Sequence, residues 1–219
     1  MRFENREHAG ELLVQRLIRY KNKNPLVLGI PRGAVPMAKI IADGLGGELD
    51  VVLVHKLGHP SQPELAIGAI DESGNIFLDD YAPDIDPDYL EAEKERQLAT
   101  LRQRRALYTP SRKPVNPSGR IVIVVDDGIA TGSTMTAALR MIRARKPKKL
   151  IGAVGVASTD AARAMLHECD AMVCLNVPAE FFAVGQFFKD FAQVTDEEVV
   201  AVLKESRLTS VTAKAASAM

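Results

Sequence analysis

One stretch of sequence decides the fold: VIVVDDGIATGST, at residues 122–134. With the residue before it, this stretch supplies five consecutive β-branched side chains at 121–125, which predict a buried strand. Asp126 and Asp127 follow at once, and a turn of small and hydroxyl residues leads into a helix predicted over 134–145. The stretch therefore predicts a strand, a ligand-sized loop and a helix N-terminus in direct succession.

Strands and helices alternate on both sides of this stretch. Short apolar runs predict strands at 26–30, 51–54, 150–156 and 171–177, and helical periodicity predicts helices at 35–45, 159–168 and 196–205, with a further N-terminal helix capped by Asn5. This alternation predicts an α/β fold with a doubly wound, mostly parallel sheet. Ligands bind such a sheet at the carboxyl ends of its strands, so we expect the site in the loops after Ile30 and Val125.

The region between the second and third sheet strands has a different character. The sequence HKLGHPSQP at 55–63 is rich in Gly, Pro and Ser and predicts a loop. Runs at 66–70 and 75–78 predict a β-hairpin around a four-residue turn. A highly charged helix is predicted from Asp86 to about Tyr108, followed by a proline-rich connector.

Composition favours one protein domain and a small ligand. The 219 residues suit a single domain over 1–205, with a frayed, disordered tail at 206–219. Because 28 basic residues balance 28 acidic ones, we expect no nucleic-acid partner. We expect no membrane segment, a cytoplasmic location, and reduced, buried Cys169 and Cys174. The fold is also compatible with a homodimer.

The loop after the acidic pair has the chemistry of a phosphate site. A helix N-terminus offers free backbone N–H groups and a positive dipole end. Gly132 allows close backbone approach, and hydroxyl donors are supplied by Thr131, Ser133 and Thr134. The adjacent carboxylates suit a diol, so the combination indicates ribose 5-phosphate. The alternative is that a hydroxyl merely caps the helix while the acids fill a turn.

The stretch resembles the signature of type I phosphoribosyltransferases, which bind 5-phosphoribosyl-1-pyrophosphate (PRPP). In that family an apolar strand, two acidic residues and a Thr-Gly-x-Thr loop occur in this order. The resemblance implies that the acids bind the ribose 2′- and 3′-hydroxyls and that the loop wraps the 5′-phosphate. The substrate-binding residues implied here are Asp126, Asp127, Gly128, Ile129, Ala130, Thr131, Gly132, Ser133 and Thr134. The order of elements over 26–177 also fits the family.

Two further loops resemble the family's pyrophosphate-binding elements. The loop after the first core strand corresponds to Pro31, Arg32 and Gly33, where Arg32 would supply a cation and Gly33 close approach. The alternative is an ordinary turn with a solvated arginine. The family's flexible loop corresponds to the region from His55 through the predicted hairpin, where Lys56 is the candidate pyrophosphate contact.

The chain is also similar to a little-characterised group of predicted bacterial and archaeal phosphoribosyltransferases. The stretches that carry this similarity are GIPRGAVP at 29–36, PELAIGAI at 63–70, and FFAVGQFFKDFAQVTDEEV at 181–199. The resemblance implies a small hood formed by 1–20 and 178–205 above the acceptor site. Side chains that could stack on a base, or pack in the core, are Phe181, Phe182, Phe187 and Phe188.

The implied reaction displaces pyrophosphate from C1 of PRPP by a nitrogen of a base-like acceptor. The implied catalytic residues are Asp126, Asp127, Lys56 and Arg32. Mg²⁺ is the implied cofactor, carried by PRPP, and Asp126 or Asp127 is the candidate for a metal contact. Hypoxanthine-type enzymes carry an Asp where this chain has Ala130, which cannot act as acid or base; this difference counts against 6-oxopurine salvage. Candidate replacement bases are Glu64, Asp71 and Glu72.

A second function of a different class stays open on the same fold: a non-catalytic regulator that senses PRPP or a nucleotide. The acidic pair with Arg32 and Lys56 favours an enzyme, because a sensor does not need contacts to the leaving pyrophosphate.

Overall fold

The computed structural model describes the backbone of residues 1–78, 85–110 and 112–216, and their side chains except at 63–66 and 207–216. Along the chain the elements are α1 Arg6–Leu17, β1 Leu26–Gly29, α2 Ala34–Leu45, β2 Glu48–Val51, β3 Val54–His59, β4 Gln62–Asp71, β5 Ile76–Leu78, α3 Pro87–Tyr108, β6 Ile121–Ile129, α4 Ser133–Ala144, β7 Lys149–Ala157, α5 Thr159–Met165, β8 Ala171–Asn176 and α6 Asp196–Ala216. Short 3-10 helices lie at Ile18–Tyr20 and Val184–Phe187.

The main sheet has five strands in the order β2-β1-β6-β7-β8. All four of its strand pairings are parallel, so the predicted doubly wound α/β fold is confirmed. The chain passes from β1 to β2 on one side, and later returns to β6 on the other side of β1. The winding direction therefore switches between β1 and β6, which is where an open α/β sheet forms its ligand crevice.

Successive side chains of the buried strands pack alternately into two apolar layers, one on each face of the sheet. Ile123 and Val125 of β6 belong to the layer that includes α1, α2 and α6. Val122 and Val124 belong to the layer that includes α4 and α5. Because successive strand residues point to opposite faces, a continuous β-branched run is what a sheet covered on both faces requires.

A separate antiparallel sheet in the order β3-β4-β5 carries the second half of the site. The hairpin predicted around residues 71–74 is confirmed, since β4 pairs with β5 and Asp71 Oδ1 accepts hydrogen bonds from Ser73 N–H at 2.8 Å and Asn75 N–H at 3.0 Å. The prediction of a loop over 55–63 is wrong. Most of it is β3 and the start of β4, because these two strands pair as a hairpin from Val54–Asp71 to His59–Gln62 and so supply backbone hydrogen bonds that the local Gly and Pro residues do not predict.

Strand β2 also differs from its predicted position at 51–54, because it runs over Glu48–Val51. Its polar residue Asp50 is buried, with a relative exposure of 1%. Asp50 Oδ1 accepts a hydrogen bond from Arg105 Nη1–H of α3 at 2.8 Å. A buried carboxylate neutralised by a distant arginine is invisible to a search for apolar runs.

Arg105 also forms an ion pair with Glu72, one of the candidate bases. Arg105 donates from Nε and Nη2 to the two carboxylate oxygens of Glu72, both at 2.5 Å. Asp71 is buried and pairs with Arg145 Nη2 at 2.8 Å. Both acids therefore join α3, α4 and the antiparallel sheet into one framework, and neither is placed as a general base. The side chain of Glu64 lies outside the described residues.

The end of the chain also differs from expectation. Helix α6 was predicted over 196–205, followed by a frayed tail, whereas its backbone is helical to Ala216. Residues 206–216 contain neither Gly nor Pro, so nothing local ends the helix at 205. Residues 217–219 lie outside the described residues.

Cys169 and Cys174 are unpaired and half-buried. Burial raises the pKa of both thiols. Within the described ranges, no helix combines the length and the apolar character needed to cross a membrane.

Candidate functional site

The acidic pair lies inside β6 and not after it. The strand was predicted to end at Val125, but Asp126, Gly128 and Ile129 pair with residues of β7. Strand β7 is buried from residue 150 to 157 and offers backbone partners beyond Val125. Strand geometry thus holds both carboxylates at the carboxyl end of the sheet, at the switch between β1 and β6.

The two carboxylates have different neighbours. Asp126 Oδ1 accepts a hydrogen bond from the backbone N–H of Asp127 at 2.9 Å, whereas Asp127 Oδ2 accepts one from Arg6 Nε–H at 2.9 Å. Burial, and then the neighbouring Asp127 carboxylate, raise the pKa of Asp126 well above its ordinary value. Burial also raises the pKa of Asp127, but the charge of Arg6 opposes that rise. Of the two acids, Asp127 is therefore better placed to carry the negative charge.

The loop after β6 leads directly into the open N-terminus of α4. Gly132 stands at the N-cap position with φ +82°, a left-handed conformation that favours glycine. Among the described contacts, no side chain caps the first turn closely; the nearest is Thr131 Oγ1, which accepts from Ser133 N–H at 3.5 Å. The interpretation that Ser133 or Thr134 only caps the helix is therefore not supported, and both residues are exposed at this helix end.

Hydroxyl groups surround this open helix end. The side chains of Thr131, Ser133 and Thr134 are exposed. The start of the loop is fixed from α5, because Ser158 Oγ–H donates to the carbonyl oxygen of Ala130 at 2.7 Å. Thr131 Oγ1 and Ser133 Oγ lie 3.2 Å apart and share a hydrogen bond. An anchored loop that combines an uncapped helix N-terminus with three exposed hydroxyls has the features of a phosphate-binding site.

The loop after β1 lies against the acidic pair. The Pro31–Arg32 peptide bond is cis. A Cβ atom on Gly33 would lie 2.3 Å from Asp127 Oδ2 and 3.2 Å from Arg6 Nη2. Only glycine lets the loop approach the carboxylate so closely, so Gly33 and Asp127, 94 residues apart in sequence, form one wall.

Arg32 turns toward α6. Its Nη1 lies 3.6 Å from Asp196 Oδ2, and both side chains are about two-fifths exposed. Tyr108 O–H also donates to Asp196, at 2.5 Å, and burial and this bond raise the pKa of Tyr108 to about 12. Arg32 is thus loosely paired and within reach of solvent, so an incoming anion can compete for it.

Lys56 lies on β3 and lines a cavity of about 260 Å³. This cavity connects the two predicted binding loops, because its lining also includes Pro31 and Thr134. Arg104 of α3 adds a further cation. Another cavity, of about 350 Å³, lies among α1, α6 and residues 190–194 and includes Arg6, but neither the acidic pair nor the phosphate loop lines it.

The segments expected to form a hood are joined to each other. Phe3 pairs with Phe188 in an isolated parallel bridge, and Phe3 N–H donates to the carbonyl oxygen of Phe187 at 2.7 Å. Phe187 and Phe188 are buried, so core packing is found for these two and stacking on a base is not. Phe181 packs on Phe187, and Phe182 is 85% exposed.

Three site residues were not predicted from the sequence: Arg6, Arg104 and Asp196. Arg6 is 121 residues from Asp127, so no local pattern connects them. Arg104 belongs to a helix whose many charges predict only a solvated face, and Asp196 was assigned only as the start of α6. Of the predicted residues, Pro31, Lys56 and Thr134 line one cavity, and Gly33 lies against Asp127.

The donor set suits a hard cation. Asp126 and Asp127 offer carboxylate oxygens, the ligands that Mg²⁺ prefers. Within the described residues, no three His, Cys, Asp or Glu side chains converge on one metal position. The residues present therefore fit a Mg²⁺ ion that also has oxygen ligands from a bound phosphate compound.

Comparisons with known proteins give a consistent result. A family model described as "Phosphoribosyl transferase domain" matches residues 3–211. Two curated relatives, "Putative phosphoribosyl transferase MT0597" and "Putative phosphoribosyl transferase Rv0571c", both from strains of Mycobacterium tuberculosis, are each 43% identical over 204 residues. That match covers 92% of this chain and 46% of each relative, so the chain spans about half the length of the curated relatives it matches.

A solved structure shares the fold over nearly the whole chain. It is the crystal structure of TT1426 from Thermus thermophilus, at 46% sequence identity and a TM-score of 0.87. The alignment covers 94% of this chain and 99% of that one.

Proposed function

This chain belongs to the phosphoribosyl transferase domain family, and on that premise we propose that it binds PRPP and transfers the phosphoribosyl group to a nitrogenous acceptor. One observation carries the proposal: the Asp126–Asp127 pair of β6 runs directly into an uncapped helix N-terminus at the switch point of the sheet. A diol-binding pair beside a phosphate-binding turn matches ribose 5-phosphate.

The first step of the mechanism is to hold the ribose. Asp127, beside Arg6, accepts a hydrogen bond from one ring hydroxyl, and Asp126 binds the other. The loop at 130–134 binds the 5′-phosphate through backbone N–H groups and its three hydroxyls. Fixing both ends of the sugar orients C1 toward an incoming nucleophile.

The second step is departure of pyrophosphate from C1 as the acceptor nitrogen approaches. Negative charge grows on the leaving oxygens, and we assign its stabilisation to Arg32, Lys56 and the Gly33 loop. Mg²⁺ bound with PRPP, and contacted by Asp126 or Asp127, would supply further charge neutralisation. The two aspartates place negative charge near the ribosyl cation that develops at C1.

The site constrains the acceptor through the absence of an acid or base group at residue 130. Ala130 has no acid or base group, and its carbonyl oxygen is occupied by Ser158. Proton transfer to or from the acceptor therefore does not involve the residue 130 side chain. We infer an acceptor whose nitrogen is nucleophilic without such a group, with the hood of residues 1–20 and 178–205 covering it.

The sensor alternative is supported by one specific observation. Asp71 and Glu72, which could have replaced the missing base, are both held in ion pairs. A protein that binds PRPP without turnover has no need of a base.

The test is pyrophosphate release from PRPP and Mg²⁺ in the presence of a panel of nitrogenous acceptors. Turnover with any acceptor, reduced about 10²–10³-fold in Asp127→Asn, supports the enzyme. The matched control is Asp160→Asn, an exposed aspartate in the first turn of α5. Tight PRPP binding with no turnover across the panel supports the sensor, and absence of PRPP binding contradicts both.

A further inference from the structure

Arg6 joins three elements that are distant in sequence. It is the first residue of α1, and its Nε–H donates to Asp127 Oδ2 at 2.9 Å. Its Nη1–H donates to the carbonyl oxygen of Ala192 at 2.6 Å. Its guanidinium also lies over the ring of Phe191, 3.8 Å from the centroid. One side chain thus contacts the acidic pair and the segment that leads into α6.

The surroundings of Arg6 suit a guanidinium group. The Arg6 and Asp127 side chains are only 11% and 14% exposed, so solvent screens the pair weakly. A planar fork of donors can bind a carboxylate and a carbonyl oxygen together while one face stacks on an aromatic ring. The absence of a Cβ on Gly33 keeps the space beside Asp127 and Arg6 open.

Arg6 does not block the carboxylate. An ionised carboxylate has about four acceptor positions on its two oxygens, and Arg6 occupies one of them on Oδ2. The remaining positions can accept a ribose hydroxyl. Without Arg6, the Asp127 side chain would lose its charged partner and one restraint on its rotamer.

We propose that Arg6 is a positioning residue of the PRPP site, which orients Asp127 toward the ribose and ties it to the hood segment at 191–192. This inference rests on the proposed function. It gives Arg6, in the first turn of α1, an indirect effect on ribose binding through Asp127.

The test is a double-mutant cycle on the dissociation constant of PRPP with Mg²⁺, measured by calorimetry. We expect Arg6→Gln and Asp127→Asn each to weaken binding by about ten- to a hundredfold, the range for hydrogen bonds to charged groups. Because Arg6 acts through Asp127, the double variant should bind no more weakly than Asp127→Asn alone. Arg6→Lys, which keeps the charge but not the fork, should recover part of the affinity.

The matched control is Arg2→Gln. Arg2 lies on the same N-terminal segment, and its Nη2–H donates to the carbonyl oxygen of Phe188 at 3.4 Å. Phe188 also belongs to the hood. We expect the affinity of the Arg2→Gln variant for PRPP to stay within twofold of that of the wild type. A loss equal to that of Arg6→Gln would show that general anchoring of the hood is responsible and would overturn the proposal.

Other outcomes separate this inference from the proposed function. If the wild type binds PRPP but Arg6→Gln binds equally well, or if the two single effects multiply in the double variant, Arg6 does not position Asp127. If Arg6→Gln does not fold, Arg6→Lys replaces it in the cycle and the same rule applies. If the wild type itself does not bind PRPP, the proposed function fails, and the inference fails with it.

Discussion

Asp126 lies inside β6, directly after five β-branched residues at 121–125, of which 122–125 are buried. Its pKa is raised well above the ordinary value of 3.8 by burial and by Asp127. The folded protein therefore binds a proton at Asp126 more readily than the unfolded chain does. That contribution to stability is complete below pH 3.8, and it is lost as the pH rises through the raised pKa.

We predict that Asp126→Asn is more stable than the wild type at pH 7, by about 0.5–2 kcal/mol, as is common when a functional group is removed from an unfavourable environment. Asn does not titrate, so the difference should shrink as the pH is lowered toward about 4, the ordinary range of an Asp carboxyl. Urea unfolding at a series of pH values measures it. A variant that is less stable at pH 7, or a difference that does not change with pH, would contradict the assigned pKa direction.

At the scale of elements, the hood rests on the same strand as the acidic pair. A Cβ atom on Gly128 would lie 2.6 Å from Val184 Cγ1, in the 3-10 helix of the hood, and 2.7 Å from Val156 Cγ1 of β7. Gly128, inside β6, thus gives room to the hood.

We predict that Gly128→Ala lowers the free energy of unfolding by about 1–3 kcal/mol, as overpacking does. Adding Val184→Ala should recover part of the loss, since it removes the nearest clashing atoms. Thermal unfolding of the two single variants and the double variant tests this. Strictly additive losses would mean that Val184 does not limit the space at residue 128.

The framework around Arg105 connects the antiparallel sheet and α3 to the main sheet. We predict that Arg105→Met destabilises the protein by about 3–5 kcal/mol, because it removes the bidentate partner of the partly buried Glu72 and one of the two arginines, Arg105 and Arg112, that pair with the buried Asp50. Arg102→Met, at an exposed position of the same helix, should change stability by no more than about 0.5 kcal/mol. Chemical denaturation compares the two, and equal effects would contradict a structural role for the network.

Over the whole molecule, what the sequence predicted correctly depends on local chemistry. The β-branched run at 121–125, the Asn5 cap and the small residues at 130–134 act through neighbours in the chain, so their strand, helix and loop could be assigned. Asn5 does cap α1, since its Oδ1 accepts from His8 N–H at 2.9 Å.

Most of what the sequence did not predict depends on contacts between distant residues. Strand β3 is an exception, since it forms a hairpin with β4 whose turn at residues 60–61 lies inside the Gly- and Pro-rich stretch that predicts a loop. Asp50 can be buried in β2 because Arg105, 55 residues away, neutralises it. The Arg6–Asp127 pair completes the candidate site in the same way. Such pairings are set by the tertiary fold, and no periodicity in one segment reveals them.

The most direct test of the central claim is calorimetric titration of the wild-type protein with PRPP in the presence of Mg²⁺. The proposed site predicts saturable binding at one site per chain, with ribose 5-phosphate as a competitor. At a hundredfold excess over the dissociation constant, PRPP should add about 2.7 kcal/mol to the free energy of unfolding. No binding of either compound, with no change in melting temperature, would contradict the claim that residues 126–134 and 31–33 form a PRPP site.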